Sequence, residues 1–290
     1  MIKTSQKSGK IRIPGEKKVA VAFCIEFGGQ TVYTSENGSI LPCLASFGEL
    51  EATKLLPRVL EVLKQHSIHA TFFIPAHCLK TYPDECLMIK NAGHEIACQG
   101  YSSKDLLSFQ NIEEEEQALC SALNAFHDLG IKPVGFRSPS STISENTFSL
   151  LEKYDFLYDN SLMGNDLNPY YPRPIHMTDD GPYRFGEPSK VLELPTSLHM
   201  DDFPFYNTIG TDLMLPHFDV KPPEELRDRV LDTFEYASRF DGSMMAITIH
   251  PQTSGQRSQI AAFDYLVTQL EEKGAWFATC QELANAAVFS

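Results

Sequence analysis

The chain has no Cys-x-x-Cys pair, a single tryptophan, and no apolar run of the roughly 18 residues that a membrane-spanning helix needs. Each absence removes a class of protein. The seven cysteines, at positions 24, 43, 78, 86, 98, 120 and 280, are scattered and odd in number. That pattern does not suit a zinc ribbon or a disulfide framework, and it suits reduced thiols in a cytoplasm. Basic residues are also scarce: 24 Lys and Arg stand against 38 Asp and Glu, a formal net charge of −14. Nucleic acid and anionic membrane both call for a basic face, so neither is an expected partner. The basic N-terminal stretch from Met1 to Lys18 lacks the apolar core of a secretory signal, which again points to the cytoplasm.

What is present is the material of one α/β domain. The 290 residues are 42% hydrophobic, close to the roughly 250 residues typical of an α/β barrel. Residues 1–17 read as a flexible N-terminal arm and residues 18–290 as a single domain. Short apolar runs bounded by turn residues read as buried strands: Val19–Ile25, Ala70–Pro75, His94–Cys98, Val134–Arg137, Phe156–Tyr158, Leu192–Pro195, Met244–His250 and Trp276–Thr279. Between them lie stretches of helical period. The clearest are Leu55–Leu63 with Pro57 in its first turn, Glu113–Leu129, Pro223–Phe240 and Gln259–Lys273. Ser144 is the expected N-cap of a helix through Tyr154, and Thr279-x-x-Glu282 is a capping box. Residues 28–48 read as a long loop, and residues 164–190 as an irregular excursion. The Glu113–Glu116 run reads as a solvated first turn. Strand and helix alternate about seven times with no linker, so a parallel α/β barrel is expected.

Several phrases carry a resemblance. His69-Ala-Thr-Phe-Phe-Ile-Pro75, Ala92-Gly-His-Glu-Ile-Ala97, Gly135-Phe-Arg-Ser-Pro139, Phe156-Leu-Tyr-Asp159, Leu192-Glu-Leu-Pro195 and Thr248-Ile-His-Pro-Gln252 follow one another in the order and spacing of a known set. Over roughly residues 19–285 the chain resembles the polysaccharide-deacetylase (NodB-homology) family. The long first loop and Phe47-Gly48 are most similar to the branch holding intracellular peptidoglycan-deacetylase-like proteins and metal-independent allantoinases. The resemblance implies a distorted (β/α)7-type barrel. The family's deacetylases carry Asp-x-Asp at the end of the first strand, the first Asp a base and the second a metal ligand. Cys24-Ile25-Glu26 stands there in this chain. Gln99 and Ser103 occupy the positions of the family's two histidine ligands. Amide and hydroxyl are weak ligands beside imidazole, so no metal or other cofactor is expected.

Arg137, Glu26, His250 and Cys24 are the candidate catalytic residues, and Gln99, Ser103, Asp201 and Asp202 the candidates for substrate binding. Arg137 resembles the arginine that orients the family's catalytic carboxylate, and a guanidinium also suits an oxyanion. His250 ends a strand at the expected rim of the barrel, and the resemblance makes it the acid that protonates a leaving amine. Glu26 could activate water or form an ion pair with Arg137. Cys24 could be a nucleophile or a small buried residue. The leading expectation is a metal-independent hydrolase of a non-peptide carbon–nitrogen bond: an amide, cyclic imide, ureide or N-acyl sugar. An inactive relative that binds a sugar or metabolite is a second reading. A lyase or isomerase using Cys24 or His250 for proton transfer is a third. The expected partner is a small or sugar-derived molecule. Association into a homo-oligomer could use exposed aromatics such as Tyr170-Tyr171.

Overall fold

The computed structural model describes residues 7–33, 40–102, 111–178, 181–206 and 221–289. Strands β1 (Lys10–Ile11) and β2 (Val19–Glu26) are followed by helix α1 (Pro42–Leu50), a π-helical turn (Glu51–Leu55) and α2 (Leu56–Gln65). Next come β3 (Thr71–Ile74), α3 (Ala76–Thr81), α4 (Pro83–Asn91), β4 (Glu95–Cys98), α5 (Ile112–Asp128), β5 (Gly135–Phe136), α6 (Thr147–Lys153) and β6 (Tyr158–Asp159). A hairpin of β7 (Ile175–Thr178) and β8 (Gly181–Phe185) precedes β9 (Leu192–Glu193) and the short α7 (Phe203–Tyr206). The chain then runs through α8 (Pro223–Ala237), β10 (Met244–Ile249), α9 (Pro251–Ser254), α10 (Arg257–Glu272), β11 (Ala275–Phe277), α11 (Cys280–Ala286) and β12 (Ala287–Val288).

The central sheet is parallel, in the order β10-β2-β3-β4-β5-β6-β9, with β11 beside the first half of β2. Its strands are continuous apolar runs because both faces are covered. In β2 the side chains alternate. Val19, Val21, Phe23 and Ile25 join the core beneath the helices, and Ala20, Ala22 and Cys24 join the smaller core inside the curled sheet. The interior is narrow, so it takes small residues such as Ala97 and Ala246 around a few large ones, Phe73, Tyr158 and Met244. Gly135 belongs to this fit: a Cβ there would lie 1.9 Å from the Tyr158 ring. The sheet does not close by a strand pair between β9 and β10. Instead Asp201 makes a single parallel bridge to Thr248 near one end, and Met244 N–H donates to the Leu167 carbonyl at 2.9 Å near the other.

Several features depart from the sequence reading. Residues 10–11, expected within a free arm, form β1 and pair with β12, with Ile11 only 2% exposed. The expected long loop over residues 28–48 contains a 3-10 turn (Gly29–Tyr33) and α1, whose first turn holds Pro42. The π-helical turn ends one residue before Leu56-Pro57. Proline lacks the N–H that would bond the Thr53 carbonyl in a continuous α-helix, and the widened turn accommodates the loss. Ser144 does not cap α6, and Glu115 is not solvated. The Glu115 carboxylate is buried and accepts from Ser144 Oγ at 2.5 Å and Thr147 Oγ1 at 2.6 Å. Tyr170, expected exposed, is buried and exchanges backbone hydrogen bonds with Glu193, while the Tyr171 ring packs at a tilt against Phe289. The capping box at Thr279 and Glu282 forms as expected.

Candidate active site

The side chains that matter emerge where parallel strands end. Glu26 is the last residue of β2, Gln99 follows β4, Arg137 follows β5 and His250 follows β10. This is the end at which barrel folds place their chemistry. Arg137 is 2% exposed and its donors are nearly all used. Nη1 donates to Glu26 Oε1 at 2.8 Å and to Thr248 Oγ1 at 3.0 Å, Nη2 to Thr196 Oγ1 at 2.9 Å, and Nε to the Asn160 carbonyl at 3.0 Å. The guanidinium lies over the Phe73 ring at 4.9 Å. Gln99 Nε2 donates to the other oxygen, Glu26 Oε2, at 2.6 Å.

His250 faces the same carboxylate. Its Nε2 is 3.4 Å from Glu26 Oε2, and its Nδ1 is 2.7 Å from Asp202 Oδ1 and 3.6 Å from Asp201 Oδ1. Asp202 is fully buried. It also accepts from the His250 backbone N–H, from Thr253 Oγ1, and from Ser254 Oγ at 2.5 Å. Burial alone would strip the proton from His250. The charges of Glu26 and Asp202, with their hydrogen bonds, outweigh burial and hold its pKa well above the ordinary value. Glu26 follows the same logic with opposite sign. Burial pushes it up, but His250, Arg137 and the Gln99 amide together bring it down to about 2. Asp201 differs: burial and the neighbouring Asp202 and Glu26 charges raise it to about 6, against the pull of His250.

These groups wall a cavity of about 260 Å³, enough for a single ring. Glu26, Gln99, Asp201 and His250 line it, with Gln252, Ser140 and the apolar Val32 and Phe203 among the others. The predicted residues therefore separate. Arg137 and Asp202 stand behind the wall, bonded to Glu26 and His250 respectively. Cys24 is not at the cavity: it is fully buried in the barrel interior, its Sγ 3.6 Å from Cys280 Sγ. Ser103 lies outside the described residues.

Residues 44–158 match the family model for polysaccharide deacetylase. Across 93% of this chain and 96% of the relative, the sequence is 27% identical to a peptidoglycan deacetylase of Helicobacter pylori. The chain is thus similar to polysaccharide deacetylases, through that segment and through a relative matched over nearly its whole length. Its fold is shared with a Mycobacterium smegmatis structure assigned to polysaccharide deacetylases, at TM-score 0.81 and 24% identity over 96% of this chain and 93% of the other. It is also shared with the Puue allantoinase, at TM-score 0.76 and 20% identity over 96% and 92%. At those identities the likeness concerns architecture. Among the described residues no helix is long and apolar enough to cross a membrane.

In this chain the described residues of the site do not fit a divalent cation. Glu26 spends both oxygens on N–H donors, and Gln99 presents an N–H where a metal would need a lone pair. Asp201, Asp202 and His250 lie close enough together to suggest a site. Yet the Asp202 oxygens are filled by hydrogen bonds and His250 Nδ1 directs its proton at one of them.

One acidic residue near the site went unread. Glu51 opens the π-helical turn and is fully buried. Its Oε2 accepts the Gly29 N–H at 2.9 Å, and its Oε1 has no hydrogen-bond partner. Burial and the Asp202 charge push its pKa up to about 8, although His250 and the Gly28 and Gly29 N–H groups oppose them. The signal was present in the spacing: Glu51, Leu55 and Val59 fall at i, i+4 and i+8, so an acid sits on the buried stripe of the helix.

Proposed function

We propose that this chain hydrolyses a non-peptide carbon–nitrogen bond, in an amide, cyclic imide, ureide or N-acyl sugar, without a metal ion. The observation that carries the reading is His250, set on the cavity wall between Asp202 and Glu26. Its raised pKa keeps it protonated at neutral pH, which suits a group that must give a proton to a departing nitrogen. Asp202 fixes the ring through Nδ1 and leaves Nε2–H directed toward Glu26 and the cavity. The 3.4 Å contact to Glu26 is long enough for a substrate nitrogen to take over that proton as the carbon–nitrogen bond breaks. Arg137 is a positioning residue. Four of its five N–H groups go to Glu26, Thr248, Thr196 and Asn160, and it is not among the residues lining the cavity, so it holds the carboxylate behind the substrate space. Cavity size limits the reacting part of the substrate to about one ring. The names of the relatives, a peptidoglycan deacetylase and an allantoinase, agree with amide or ureide chemistry.

The test is a turnover assay with N-acetylglucosamine oligomers, allantoin and hydantoin, run with and without the chelator dipicolinate. Turnover of at least one probe is expected, unchanged by chelator. His250→Gln should lower kcat by roughly 10²–10⁴-fold in protein that is still folded at the assay temperature, although its melting temperature falls because Asp202 loses its buried cation. Activity that chelation abolishes and zinc restores would overturn the metal-free reading. An undiminished His250→Gln rate would remove His250 as the acid.

A further inference from the structure

We propose that Asp201 is the general base that deprotonates the attacking water, and that Glu26, the carboxylate at the end of the first barrel strand, serves to orient Gln99 and His250. The proposal rests on the hydrolytic reading above. Two carboxylates line the cavity, Glu26 and Asp201. A carboxylate has about four lone-pair sites, and the difference between these two lies in how many are taken. Glu26 receives Arg137 on Oε1, and Gln99 and the His250 ring on Oε2. Among the described residues Asp201 receives one hydrogen bond, from the Phe203 N–H on Oδ1 at 2.8 Å. None of those residues donates to Oδ2; exposure does not separate the two, since the Asp201 side chain is 17% open and that of Glu26 21%. A water in the cavity can therefore reach a free oxygen on Asp201, whereas on Glu26 it competes with three donors.

The backbone fixes acid and base against each other. Asp201 makes the parallel bridge to Thr248, two residues before His250, and its Oδ1 lies 3.6 Å from His250 Nδ1. The charged groups facing Asp201 are His250, Asp202 and Glu26, with Arg137 behind Glu26. Their sum, with burial, places Asp201 at about 6 and Glu26 at about 2. A base works best with a pKa near the working pH, and a carboxylate at about 2 takes a proton poorly.

The step balances. An O–H bond of water breaks, its proton goes to Asp201 Oδ2, and the oxygen forms a bond to the carbonyl carbon as the π pair moves to the carbonyl oxygen. On collapse the carbon–nitrogen bond breaks and the nitrogen takes the Nε2 proton of His250. Asp201 then gives up its proton and His250 regains one, which restores the resting state.

The experiment measures kcat and KM against pH between 5 and 9 for wild type, Asp201→Asn and Asp201→Gly on whichever of the three probes turns over fastest. Wild type should lose activity below about pH 6. Asp201→Asn should lose roughly 10²-fold or more in kcat with little change in KM, and the acid limb should vanish. Formate should restore part of the Asp201→Gly rate, because it supplies a carboxylate in the space left empty. Near-normal turnover by Asp201→Asn would overturn the proposal and leave the hydrolytic reading intact. So would a slowed Asp201→Asn that keeps its acid limb, together with no formate rescue, since Asp201 would then merely position His250. If neither variant folds, the wild-type profile decides: a limb at about 6 supports the base, and a flat profile from 5 to 8 excludes it. No turnover of any probe by wild type removes the hydrolytic reading, and this inference with it.

Discussion

Glu51→Gln offers a direct test of the electrostatics around the cavity, because stability reads it without any substrate. Glu51 is fully buried and its pKa is about 8 in the folded chain, against an ordinary value of 4.5. A group raised on folding binds its proton more tightly in the native state. Its stabilising contribution is full below pH 4.5 and is lost as pH rises toward 8. Each pH unit in that window costs about 1.4 kcal/mol, so between pH 5 and pH 8 the loss sums to about 3.5 kcal/mol. Glutamine has nearly the same shape, still accepts from Gly29 through its carbonyl oxygen, and does not titrate. The difference in unfolding free energy between Glu51→Gln and wild type should therefore move in the variant's favour by about 3 to 4 kcal/mol from pH 5 to pH 8. Urea unfolding of both proteins at pH 5, 6, 7 and 8 measures it, and all other titrating groups cancel in the difference. Two stability curves that run parallel across this range would refute the reasoning, because Glu51 would then be ionised at little cost.

Three further outcomes are expected. Arg137→Met should destabilise the fold by about 3–5 kcal/mol in urea unfolding, because it leaves Glu26 with His250 as its one cationic neighbour among the described residues and takes a buried donor from Thr248, Thr196 and the Asn160 carbonyl; a loss under about 1 kcal/mol would contradict the pairing. Gly135→Ala should cost at least about 2 kcal/mol, or prevent folding, because the added methyl meets the Tyr158 ring, and a melting temperature equal to wild type would show that the interior yields. In native protein, iodoacetamide should label the exposed Cys43 well before Cys24 or Cys280, as mapped by peptide mass, and early labelling of Cys24 would revive it as a nucleophile.

Much of the fold was legible because it rests on local patterns. Buried parallel strands read as apolar runs, and α5, α8, α10 and the capped α11 read from period and caps to within a few residues. Depth was not legible. Alternation puts Cys24 and Glu26 on the same inner side of β2, but two residues of strand separate them by about 7 Å. That distance is the difference between the sealed interior, where Cys24 meets Cys280, and the cavity, where Glu26 meets His250. Asp201 and Asp202 pose the converse difficulty. Adjacent residues in an extended segment point to opposite sides, so one aspartate opens to the cavity and the other braces the histidine from behind. Which is which depends on the bridge to Thr248, a contact between residues far apart in the chain.

The two glutamates beside this cavity show why residue type alone says little about charge. Glu26 and Glu51 are the same side chain, and burial pushes both toward the neutral form. Glu26 has a guanidinium, an imidazole and an amide as donors, and it ends near 2. Glu51 has backbone N–H groups from Gly28 and Gly29 and a more distant His250, and it ends near 8. The cavity therefore holds its negative charge on the carboxylate least able to accept a proton, while a proton is stored on one that cannot reach the cavity. Asp201, near 6, lies between these extremes on the cavity wall, with an oxygen to which no described residue donates. A site that has to move a proton at neutral pH needs a group so placed, and among the described carboxylates lining this cavity Asp201 is the one that meets both conditions.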